Sequence, residues 1–121
     1  MNKLNLGLFI LLSICCSKEQ EKVENLYLGK LVKQGICMNY VIEVLDDDFP
    51  PELIERIWVD EFSKIEYQNV FSLESVCDFP DTVKEGDSFN FILGNTNTDF
   101  CAVCEAYTPV PNKRLKITVV D

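Results

Sequence analysis

Two hydrophobic rhythms run along this chain, one of period two and one of helical spacing. "LYLGKLV", Leu26 to Val32, nearly alternates apolar and polar positions and predicts a first strand. Gln34 to Ile36 supplies a turn. "CMNYVIEVL", Cys37 to Leu45, with Tyr40, Val41, Ile42 and Val44, predicts the second strand of a hairpin. The rhythm then changes. Pro50 and Pro51 suit a helix start, Glu52 and Glu55 suit its positive end, and apolar residues follow at 53, 54, 57, 58, 62 and 65. That spacing predicts a helix from Pro51 to Phe62 whose apolar face, Trp58 included, joins the core. Strand patterns return in "YQNVFSLES" from Tyr67, "SFNFIL" from Ser88, "FCAVCEAY" from Phe100 and "RLKITVV" from Arg114. Phe89 and Phe91 should share one face, as should Leu115, Ile117 and Val119. Turn clusters separate them: "DFPDTVKEGD", "GNTNTD" and "TPVPNK". About six strands and one helix predict a mainly β fold, an antiparallel barrel or sandwich packed with a helix.

The start of the chain follows neither rhythm. A short basic end, Met1-Asn2-Lys3, leads into "LNLGLFILLSI", an apolar run well short of the ~20 residues that span a bilayer. Basic end, apolar core and a small-residue region make up a secretory signal peptide. Ser13-Ile14-Cys15-Cys16-Ser17, which closes it, resembles the lipobox of bacterial lipoproteins, where a cysteine thiol receives diacylglycerol and the chain is cut just before it. The resemblance implies residues 1–15 as the signal and Cys16 as the lipidated residue, since Cys15 then supplies a small side chain before the cut. With Cys15 as the alternative acceptor, Leu12 and Ser13 fit but Ile14 is bulky there. Residues 16–24 become a lipidated, charged tether reaching at most roughly 28 Å beyond the lipid, and residues 25–121 a single β-rich domain. The implied address is the bacterial cell envelope, as an outer-membrane lipoprotein facing the periplasm or the surface. Its membrane contact is through a lipid anchor (palmitate or a similar chain) and not through a span.

Composition removes several function classes. The 121 residues carry 11 Lys and Arg against 20 Asp and Glu, a net charge of −9. This argues against nucleic-acid binding, which needs clustered cations. With no histidine, Ser-His-Asp and Cys-His nucleophiles and the His-containing zinc sites are excluded. Glycine-rich phosphate loops are missing, and no carboxylate pair stands out for acid–base work. The expectation is no enzyme activity, no cofactor and no metal.

A second, looser resemblance lies in the mature part. "GICMNYVIEVL", "KEGDSFNF", "CAVCEAY" and "LKITVV" look like small secreted bacterial domains with an OB-like barrel. These motifs cover about a third of the chain, and the resemblance implies a fold without an activity.

Apart from Cys15 and Cys16, four cysteines remain: Cys37, Cys77, Cys101 and Cys104. In an exported domain an even number implies two disulfides. On a strand Cys101 and Cys104 would point to opposite faces, which leaves 37–104 with 77–101, or 37–101 with 77–104. The OB-like resemblance implies the first set. Cys101-Ala102-Val103-Cys104 as a redox pair would need a helix that "EAYTPVP" cannot form, and a four-cysteine zinc site would need a second paired knuckle. Asp46-Asp47-Asp48 reads as a solvated turn and "NTNTD", Asn95 to Asp99, as a hairpin turn, neither closing a calcium loop. Asp81-Thr82-Val83 resembles an acceptor for O-glycosylation in some bacterial envelopes.

Together these features point to a non-enzymatic envelope lipoprotein that binds a protein or glycan partner. One version is an inhibitor or immunity-type protein against a cationic enzyme, favoured by the acidic charge. Another is an accessory subunit binding a carbohydrate or small ligand, which would expose aromatics among Tyr27, Tyr40, Tyr67 and Tyr107.

Overall fold

The computed structural model of the chain describes residues 25–120. Cys15, Cys16, the expected signal and the tether therefore lie outside the described residues. Seven strands follow in order: β1 (Tyr27–Gln34), β2 (Tyr40–Val44), β3 (Glu55–Val59), β4 (Glu66–Leu73), β5 (Ser88–Leu93), β6 (Arg114–Leu115) and β7 (Ile117–Val120). They form one mainly antiparallel sheet in the order β3-β4-β2-β1-β5-β7. The exception is β6, which pairs in parallel with β4 through Ser72–Arg114 and Leu73–Leu115. Among the described residues no helix is long and apolar enough to cross a membrane.

The inward face is aromatic. Phe89 and Phe91 do share a face and are buried with Tyr27, Phe49, Phe71 and Phe79, alongside Leu31, Ile42 and Ile117. Tyr27 meets Phe49 edge-on at 4.7 Å between ring centroids, and Phe91 lies within 6.0 Å of Phe49, Phe71 and Phe89. Edge-to-face and tilted contacts of this kind suit the ring quadrupoles. Gly29 on β1 makes room for them, since a Cβ there would lie 2.9 Å from the Phe91 ring.

One irregularity in β1 has a large effect. Leu31 pairs with Ile42, but Lys33 pairs with Val41, so the register slips by one residue at Val32. Such a bulge reverses which face the following side chains take. Unbroken alternation from Leu31 would aim Lys33 at the aromatic core. The bulge turns it to the opposite face, beside Val41, which is buried outside the aromatic cluster.

Several expectations are corrected, and the second strand begins only at Tyr40, with Cys37 and Met38 in a 3-10 turn before it. First, the helix from Pro51 to Phe62 is absent: a single 3-10 turn, Pro51–Leu53, runs into strand β3. Leu53 and Ile54 belong to the turn and Ile57, Trp58 and Val59 to the strand, and the two elements abut with a spacing that imitates a helix. The β-branched and aromatic run pairs with Gln68, Tyr67 and Glu66 of β4. Second, Trp58 is half-buried and stacks on Tyr67 (5.4 Å, 27°), away from the aromatic core. Third, Phe100 to Tyr107 is not a strand. Cys101 and Cys104 are bonded to two different loops, and no neighbouring strand pairs with the segment between them.

Candidate binding surface

Among the described residues the longest stretch without regular structure runs from β5 to β6, residues 94–113. Irregular loops of this length inside a compact domain usually carry function. Two disulfides hold this one, Cys37–Cys104 with Cα atoms 4.9 Å apart and Cys77–Cys101 at 5.5 Å. Both separations fall in the ordinary range for the bond. Cys37 reaches its partner from a 3-10 turn, Ile36–Met38, in which Cys37 and Met38 both have positive φ, 58° and 61°. That region is uncommon for residues with a Cβ. The turn is closed by Gly35 N donating to Asn39 O (3.2 Å) and Asn39 N donating to Ile36 O (3.1 Å). Position 35 requires glycine, because a Cβ would sit 2.5 Å from that same Asn39 oxygen.

A third fixation point is electrostatic. Lys33 Nζ, brought to this face by the bulge, lies 2.7 Å from Asp60 Oδ2 and also donates to Thr108 Oγ1 (3.3 Å) and Pro109 O (3.1 Å). Its ammonium sits 5.7 Å from the Trp58 ring centroid, within cation–π range. Asp60 follows the end of β3 and is only 3% exposed. Its other oxygen accepts from the backbone N–H groups of Phe62 (2.9 Å) and Ser63 (3.4 Å). Burial pushes the Asp60 carboxyl upward, but the bonds from Lys33, Phe62 and Ser63 together hold it below its usual value. One ion pair thus joins β1, the β3–β4 turn and the returning limb of the loop.

Anchored in this way, with Pro109 and Pro111 buried, the loop presents three large apolar side chains outward. Phe100 is 94% exposed, and Tyr107 and Val103 are exposed as well. Tyr107 is oriented from two sides. Its hydroxyl donates to Glu61 Oε1 at 2.6 Å, and its ring meets exposed Phe62 edge-on at 5.9 Å. The hydrogen bond to Glu61, a carboxylate, raises the Tyr107 hydroxyl above its ordinary value. Glu61, Asp99 and Glu105 are exposed around these rings. Beneath the loop an open cleft of about 280 Å³ lies between the Cys37–Cys104 bridge and β4, with Glu74, Glu105 and Arg114 on its walls. No aromatic side chain lines it.

The remaining sequence candidates sit elsewhere. All four domain cysteines are bonded in pairs, which leaves no thiolate for zinc and no free dithiol. In the acidic run before Pro50, Asp46 accepts from Leu28 N. "NTNTD" opens the loop and is not a hairpin turn. Asn95 Nδ2 donates to Asp78 Oδ2 (2.7 Å) and Ile117 O (2.8 Å), while Asn95 and Asn97 accept from the N–H groups of Asn97 and Asp99. Among the described residues no group of three acidic or sulfur ligands is placed to hold a metal. Of the tyrosines, Tyr27 is buried, Tyr40 packs edge-on against Phe79, Tyr67 lies under Trp58, and Tyr107 alone is open. Lys33 and Asp60 carry no sequence signal, since one depends on the bulge and the other on a strand that reads as helix.

Comparison with protein-family models, with characterised proteins and with solved structures finds no match to this chain.

Proposed function

We propose that this chain is a non-enzymatic binding module of the bacterial envelope, held to the membrane by lipid on Cys16 and recognising a protein partner through loop 94–113. The observation that carries the proposal is Phe100. A phenylalanine left 94% exposed on a loop fixed by two disulfides costs solubility and contributes nothing to the core. Rigid aromatic side chains are the usual anchors of protein interfaces. A loop already held in place also loses little entropy when it binds. The net charge of −9 and the acids around the rings favour a cationic partner, such as an enzyme held by an inhibitor or immunity-type protein. The alternative of a glycan- or small-ligand-binding subunit has less support, because the cleft lacks an aromatic platform.

For the fold, we take the sheet to curl into an OB-like barrel. The pairings of the last segment support this: β6 lies parallel on β4 and the chain then continues at once into β7, antiparallel on β5. The chain thereby links β4, beside one end of the sheet, to β5, beside the other, which is the kind of closing connection such a barrel needs.

The test is co-purification from solubilised membranes. A partner bound by the parent chain should be lost from Phe100→Ala and Tyr107→Ala and released as salt rises. Retention by both variants would remove the loop from recognition. Intact mass of the extracted chain, with and without alkylation, reads the anchor separately. A lipidated species beginning at Cys16 that takes up no alkylating reagent is expected, and an unlipidated chain would overturn the address.

A further inference from the structure

At one end of the sheet, β3 pairs with β4 along one edge only, and among the described residues no strand covers its other edge. The opposite end of the sheet is treated differently. There the first residue of β7 is masked by Ser75, whose Oγ donates to Ile117 O (2.9 Å) and accepts from Ile117 N (2.9 Å). Open edges are commonly protected by a proline, a bulge or an inward lysine. The strand is short and carries Glu55 and Arg56, but no proline, bulge or inward lysine occurs within Glu55–Val59, whose register with β4 runs without a slip from Glu55–Val70 to Val59–Glu66. The edge is apolar as well as open: Ile57 is 63% exposed, and Val59 is exposed beside it.

We infer that β3 pairs antiparallel with β3 of a second copy of this chain, about a two-fold axis through Ile57. The occupant follows from the sequence of the strand itself, "ERIWV". A two-fold interface must be complementary to itself. With Ile57 opposite Ile57 of the copy, Arg56 lies opposite Trp58 and Glu55 opposite Val59. No like charges face one another, even in a chain of net charge −9. Arg56 is exposed and Trp58 is half-buried, so each copy supplies both members of a cation–aromatic cross-strand pair. On the other face, Ile57 and Val59 of both copies meet as diagonal neighbours. This pairing extends the sheet across two copies and does not use Phe100; Glu55 also accepts from Asn112 N (3.1 Å) at the end of the loop.

The test uses the full chain extracted in mild detergent. Sedimentation should give twice the protomer mass for the parent and half of that value for Ile57→Lys, whose melting temperature should match that of the parent diluted to monomer, because position 57 is exposed in the single chain. Register is read by cross-linking. Copies carrying Glu55→Cys mixed with copies carrying Val59→Cys should form an intermolecular disulfide above the background of the parent, whereas neither variant alone should. A monomeric parent, a dimer that survives Ile57→Lys, or equal cross-linking in either variant alone would each overturn the proposal.

Discussion

Lys33 makes four contacts at once: Asp60, Thr108, Pro109 and the face of Trp58. Removing one member of such a buried pair leaves the other charge without compensation, and Asp60→Ala should cost about 3 kcal/mol in urea unfolding. Adding Lys33→Met should recover part of that loss, because an apolar pair needs no partner. Asp60 also sets a pH dependence. Its folded value lies below the unfolded one, so its contribution is complete above the unfolded carboxylate range, near ~3.9. It disappears as pH falls through the lowered folded value. Between neutral pH and about pH 3 the parent should lose more stability than Asp60→Asn, which has no such charge to neutralise. Equal losses would show that Asp60 does not contribute in this way. At this scale the sequence was least informative. A lysine at the end of a strand and an aspartate after a presumed helix give no hint of one another, since their meeting depends on a one-residue slip at Val32.

The elements were more legible. Strands in which β-branched and aromatic residues alternate, such as Ser88–Leu93 and Ile117–Val120, could be read directly. Glu55–Val59 could not, because a turn and a short strand placed end to end reproduce helical spacing over a dozen positions. Phe100 to Tyr107 misled for another reason: its pattern is that of a strand, but its cysteines are committed elsewhere. Because residues 100–107 are not a strand, strand geometry does not account for the observed Cys37–Cys104 and Cys77–Cys101 bonds. Loop order rests on the disulfides. In the chain-entropy model a bond across 67 positions is worth about 4 kcal/mol and one across 24 about 3.5 kcal/mol. Replacing Cys37 and Cys104 together by serine should therefore lower stability by about 4 kcal/mol. Hydrogen exchange should show the loosening concentrated in residues 94–113 and in the turn at Ile36–Met38. Unchanged protection there would mean that Lys33 and its partners hold the loop without the bridge.

For the molecule as a whole, an aromatic core on one face of the sheet supports a stapled loop, and in the function proposed above the acidic side chains beside that loop select a partner by charge. Association with a cationic partner should slow as ionic strength rises, since steering over distances beyond ~10 Å is screened at 0.1 M salt. The central claim is that the loop is the recognition surface. It is tested most directly by placing a photo-cross-linking side chain at Phe100 of the full chain in intact cells, with Thr82, exposed on a different loop, as the control position. A single discrete protein adduct from position 100, weakened by salt and missing from position 82, is the predicted result. No adduct from position 100, or the same products from both positions, would contradict it.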